Sequence, residues 1–131
     1  MNVNLDKILA EISAGELIDK ITILEIKKEK INDDEKLQSV EKELLSLNES
    51  FKKFILSPSK INPLIDKLKA INLKLWDIEN GKRLAEKNNN FDEKFIELAR
   101  NVYKDNDERS KIKLEINNIL GSNIKEVKSY Y

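Results

Sequence analysis

Three groups of polar residues have the types and spacing to share a site. Glu16, Asp19 and Lys20 form the first, Asn72, Trp76, Glu79, Arg83 and Glu86 the second, and Asp105, Asn106, Arg109 and Lys113 the third. Glu16-x-x-Asp19 sets two carboxylates on one helical face, and oxygen ligands of that kind suit Mg²⁺. Arg83 and Arg109 carry guanidinium forks that fit phosphate or carboxylate. Glu79, Arg83 and Glu86 are spaced to pair along a helix at i,i+4 and i,i+3. The third group is the least expected, because it interrupts an apolar stripe. Phe91, Phe95, Leu98 and Val102 step by 4, 3 and 4, and Ile112, Ile116 and Ile119 continue the series through Asp105 and Arg109.

Three arrangements fit these groups. Each can be a solvated face or a buried pair that fixes helix register. The second and third can converge on a polar cleft, with Arg83 and Arg109 as the anion-binding pair and Trp76 as a wall. A magnesium site is the third arrangement. All-α hydrolases of the nucleotide-pyrophosphatase type hold Mg²⁺ with E-x-x-E and E-x-x-D pairs, and Glu16-x-x-Asp19 has that spacing. A second such pair on the helix carrying Glu79 is missing, so no bound metal and no cofactor are expected.

Composition narrows the chemistry further. The chain contains no His and no Cys, which removes thiolate nucleophiles, His-based catalytic triads and the usual structural zinc sites. The 24 basic residues equal the 24 acidic ones, which argues against a general nucleic-acid binder. The start, MNVNLDKILAEIS, carries Asp6 and Glu11 where a signal peptide needs an apolar run. No stretch of 18 apolar residues occurs, so no membrane span is expected. The expectation is a cytoplasmic protein.

The elements that must position these residues are helices. Ser13 with Glu16 fits a capping box at the start of the first. Asp33 or Asp34 can cap the second, whose stripe is Leu37, Val40, Leu44, Leu47, Phe51 and Phe54. Pro58 and Pro63 break the chain, with Asn62 as N-cap and Pro63 at N1 of the third. Gly121 suits the C-terminus of the fourth. The pattern predicts helices over residues 14–31, 34–56, 62–88 and 91–120, in an all-α antiparallel bundle of about four long helices. Residues 1–131 are read as one helical domain, with 1–12 a lead-in (extended or a short helix) and 122–131 a C-terminal tail. The expected core is Leu24, Leu44, Phe51, Leu68, Leu75, Phe95, Leu98, Val102, Ile112 and Ile116. Arg109 is expected to meet a carboxylate from Asp105, Glu79 or Glu86, with Trp76 packed beside it.

Three segments carry a family likeness: GELIDKITILEIKKEKI from Gly15, the stretch from Ile71 to Asn117 that contains LWDIENGKR and NDERSKIKLEIN, and GSNIKEVKSY from Gly121. Together they resemble an uncharacterised bacterial domain family. The likeness covers most of the chain outside Leu37 to Lys60. It falls on Glu16, Asp19, Lys20, Trp76, Glu79, Arg83, Glu86, Asn106, Asp107 and Arg109. Members of that family sometimes occur beside or fused to glycosyltransferase or cell-envelope polysaccharide proteins, so the resemblance implies a context and no activity. The leading expectation is a non-catalytic helical module that binds a protein partner or a small anionic ligand such as a sugar nucleotide, with homodimerisation plausible. The alternative is a small Mg²⁺-dependent nucleotide or phosphate-ester hydrolase.

Overall fold

The computed structural model describes residues 4–130. Four α-helices account for the chain: α1 Ala14–Lys30, α2 Asp34–Phe54, α3 Asn62–Lys87 and α4 Glu93–Leu120. A single 3₁₀ turn, Pro58–Lys60, links α2 to α3. No strand occurs among the described residues. The helix bounds differ from the sequence expectation by at most two residues at any end, and residues 4–13 form no helix.

Local chemistry explains each boundary. Ser13 accepts from the Glu16 N–H at the start of α1. The reciprocal half of the expected capping box is absent, because the Glu16 carboxylate turns to Lys113 instead. Asp33 caps α2 through Lys36 N–H, and Asp92 caps α4 through Lys94 and Phe95 N–H. Asn62 is the first helical residue of α3 and not its cap. The cap position belongs to Ile61, which bonds nothing with its side chain and is fully buried. Apolar burial therefore fixes the entry to α3 where a polar cap was expected. α4 stops at Gly121, whose φ of 64° is left-handed, as a C-terminal glycine permits.

Two helical hairpins, α1–α2 and α3–α4, pack through α1, which touches all three other helices. It is the shortest of the four, with 17 residues, and the most buried. The core joins Leu17, Ile18, Ile21 and Leu24 of α1 to Val40 and Leu44 of α2, Leu64, Leu68 and Ile71 of α3, and Ile112 and Ile116 of α4, with Ile55 and Ile61 closing the α2–α3 loop. α3 and α4 have 26 and 28 residues, about 40 Å at 1.5 Å per residue, against roughly 26 Å for α1. Their far ends therefore outrun α1.

That overhang corrects half of the expected core. Leu24, Leu44, Leu68, Ile112 and Ile116 are buried as expected. Phe51, Leu75, Phe95, Leu98 and Val102 are only half-buried. The last four lie on the part of the α3–α4 hairpin beyond the residues that bond Asp19, a stretch in which Ile78 is still buried. Leu68→Ala should cost about 2–5 kcal/mol and Leu75→Ala clearly less, since truncation cost follows the cavity left behind. Urea unfolding of the two variants measures this, and equal losses would place the core boundary elsewhere.

Candidate functional site

The polar centre of the molecule is built on Asp19, whose side chain is 1% exposed. An ionised carboxylate so deep is costly unless it is paired and hydrogen-bonded. Three neighbours meet that need. Arg109 of α4 donates Nε to Asp19 Oδ1 at 2.9 Å and Nη2 to Oδ2, a bidentate grip. Asn72 of α3 donates Nδ2 to the same Oδ1 at 2.9 Å. Thr22, one turn along α1, accepts from Asn72 at 3.0 Å and donates to the Asp19 carbonyl at 2.8 Å. Asn106 accepts from Arg109 Nη1 at 3.4 Å. The hydrogen bonds to Asp19 hold the Arg109 guanidinium above its ordinary pKa, against the opposing effect of burial. No buried side-chain polar atom among the described residues lacks a partner.

A second pairing continues the line toward the start of α1. Lys113 Nζ reaches Glu16 Oε2 at 2.6 Å, Glu126 Oε2 at 3.3 Å and Asp19 Oδ2 at 3.9 Å. Lys20 approaches the other Glu16 oxygen at 3.8 Å. Burial alone would raise the Glu16 pKa. Hydrogen bonding to Lys113 and Glu126 and the Lys113 charge together outweigh it, so Glu16 sits below its ordinary value. Burial likewise pushes Lys113 down, while its bond to Glu16 and the nearby carboxylates leave it raised.

The backbones meet next to this pair. The Gly15 N–H donates to Asn117 Oδ1 at 2.6 Å. A Cβ on Gly15 would lie 2.5 Å from the Lys113 carbonyl oxygen. Only a residue without a side chain allows α1 and α4 to approach so closely. Ser122 Oγ then accepts from Ala14 N–H at 3.0 Å, which satisfies another amide at the start of the helix.

Of the candidate residues, the structure gathers Glu16, Asp19, Lys20, Asn106 and Arg109 at the α1–α4 junction. Trp76, Glu79, Arg83 and Glu86 do not join them through any hydrogen bond or ion pair among the described residues. Glu79 and Arg83 pair with each other at 3.1 Å on the exposed hairpin, with Lys82 beside them at 3.7 Å. Glu86 is exposed and Trp76 half-buried. Asp105 is half-buried and forms no ion pair among the described residues. The expected partner of Arg109 was therefore wrong, and the reason is register. Asn72 and Arg109 meet on one carboxylate, so Arg109 lies level with Asn72. Glu79 is seven residues on, about 10 Å along the axis. Thr22, Asn117, Ser122 and Glu126 were not singled out in the sequence. Gly15 followed far downstream by Asn117 is a signal of close helix approach only once the pairing of α1 with α4 is known.

The junction has no open carboxylate cluster. Glu16 and Asp19 both face cations, and no group of three or more potential metal ligands occurs among the described residues. Two surface hollows lie on the α3–α4 hairpin, one along α4 between Glu93 and Lys104, the other between Gly81 and Leu98. Neither includes Asp19.

A family model described as a family of unknown function, DUF6165, matches residues 8–131. The match agrees with the resemblance to an uncharacterised domain family. No curated protein and no solved structure matches the chain.

Removing one partner of the buried pair strands the other. Arg109→Ala should destabilise by about 3–5 kcal/mol, whereas Asp19→Leu combined with Arg109→Met should recover most of that loss. Denaturant melts of the single and double variants test this, and a mild single variant would show that Asp19 does not depend on Arg109. Gly15→Ala gains about 1 kcal/mol of helix propensity, yet the rigid Lys113 carbonyl stands in the way. Net destabilisation is expected, and a raised melting temperature would contradict the close approach.

Proposed function

Since the chain belongs to this family of unknown function, we propose that it is a non-catalytic helical module that binds a protein partner. One observation carries the reading. Leu5, Ile8 and Leu9 are 82%, 82% and 88% exposed on a lead-in with no regular structure. With Ile12, they are spaced 3, 1 and 3 apart, which fits one face of a helix. A short amphipathic segment left uncovered next to a tightly bonded frame suits folding against a partner.

The closed state of the junction supports binding over hydrolysis. A Mg²⁺-dependent phosphohydrolase needs carboxylates free to take metal, and here Glu16 and Asp19 are spent on Lys113 and Arg109. A small anionic ligand is the second reading, favoured by the 28% exposure of Arg109. We place the partner in glycosyltransferase or envelope-polysaccharide systems, the context implied by the sequence resemblance, with the chain in the cytoplasm, and a second copy of the chain is a further candidate. No helix among the described residues is long and apolar enough to cross a membrane.

A photo-crosslinking amino acid at position 9, introduced in cells, should give one discrete adduct, and Ile8→Glu should abolish it without changing thermal stability. Absence of any adduct at physiological expression counts against the reading. In parallel, a thermal-shift screen with nucleotides, sugar nucleotides and divalent metals should be flat. A Mg²⁺ shift lost in Asp19→Asn would restore the hydrolase.

A further inference from the structure

Lys113 stands among three carboxylates, and one of them arrives on a segment without regular structure. Glu126 lies beyond the end of α4, on residues 121–130, which fold back along α1 and α4. Ser122 holds Ala14 N–H, Asn123 Nδ2 bonds both Glu11 oxygens at 3.0 and 3.1 Å, Glu126 meets Lys113, and Lys128 Nζ lies 2.9 Å from Asp107. All of these contacts are polar. Among its apolar side chains, Val127 and Tyr130 are 89% and 75% exposed, and Ile124 is 37% exposed. Exposed ion pairs contribute little each. A strap held in this way can lift while the core stays folded.

Charge balance shows what lifting would uncover. With the strap in place, Lys20, Arg109 and Lys113 face Glu16, Asp19 and Glu126, three cations against three anions. Without Glu126 the same site has three cations and two anions. The uncompensated charge falls at Lys113, which keeps Glu16 at 2.6 Å and Asp19 at 3.9 Å. The Arg109 fork is committed to Asp19. What opens is therefore one side of a point-like ammonium. That fits one carboxylate on a peptide better than a phosphate, which favours a free fork.

We propose that the α1–α4 junction recognises a single carboxylate side chain on a segment of a partner protein, and that Glu126 fills this site as a built-in pseudo-ligand in the unbound chain. The inference rests on the protein-partner reading and names the chemistry of its docking point. An incoming acidic residue displaces Glu126, the strap lifts, and Val127 and Tyr130 are freed to follow it.

The test uses the full-length chain and Glu126→Gln, whose half-exposed side chain can change without loss of the fold. The probe is a synthetic peptide with the sequence of residues 124–130, titrated by NMR. An intramolecular strap competes at an effective concentration of order millimolar, so Glu126→Gln should bind the peptide about tenfold tighter than wild type. The same peptide carrying Glu126→Gln should not bind. Amide exchange across residues 123–130 should quicken in the variant protein. Equal binding to wild type and variant, binding to neither, or unchanged exchange would each overturn the proposal. Inorganic phosphate matching the peptide would overturn it in favour of a small-anion site. These outcomes are separate from the crosslink at position 9. A peptide site without that adduct removes the partner reading, and an adduct without a peptide site removes only the pseudo-ligand.

Discussion

A buried carboxylate must be answered from several directions at once, and Asp19 sets that demand for the whole molecule. Its two oxygens take Arg109 from α4 and Asn72 from α3. A charge at this depth tolerates no vacancy, because an unpaired ion in low dielectric costs far more than any one apolar contact returns. Three helices are thereby held in a single arrangement. Apolar packing alone would not do this, since Leu and Ile faces can slide by a turn with modest loss. The pair is therefore better understood as a device for specificity than as a source of stability.

The same constraint accounts for the uneven burial. α1 supplies Asp19 and must be reached by both long helices, so it lies at the centre although it is the shortest. The Gly15 contact lets α4 come close enough for Arg109 and Lys113 to reach α1. Once Arg109 is level with Asn72, the rest of α3 and the first half of α4 lie beyond the residues that bond Asp19, and only Ile78 is buried there. Leu75, Phe95, Leu98 and Val102 then share a two-helix seam, and Leu84, Phe91, Ile96 and Tyr103 remain exposed. The overhang follows from where the polar lock sits along the helices.

Helix identity and limits were legible in the sequence because capping residues, prolines and 3-and-4 apolar spacing are local signals. So were the polar residues that interrupt the α4 stripe. Their partners were not legible. The stripe on α3 places Asn72, Glu79 and Arg83 on one face, and periodicity gives no preference for which of them meets Arg109. An ionic partner for an arginine is the natural first choice, yet an amide from α3 and an acid from α1 share the task. Asp19 itself read as one carboxylate of the Glu16-x-x-Asp19 pair, on a solvated face or beside a metal. Only tertiary placement shows it as the most buried acid of the chain. Ile61, just after a loop-like Ser-Pro-Ser-Lys run, was hidden for the same reason: a single apolar residue has no period.

The contrast between the centre and the chain ends bears most on function. At the centre, every buried polar side-chain atom among the described residues has a partner. Residues 4–13 and 122–130, by contrast, have no helix of their own and turn Leu5, Ile8, Leu9, Val127 and Tyr130 outward. The two segments lie side by side, tied by Asn123 to Glu11 and by Ser122 to Ala14. They flank the end of the bundle where Lys113 and Glu16 meet. A rigid frame and two adaptable segments thus converge on one face. On the proposed reading, a partner docking there would meet a fixed charge pattern with exposed apolar groups beside it. The frame would then provide register and charge selection and the segments contact area.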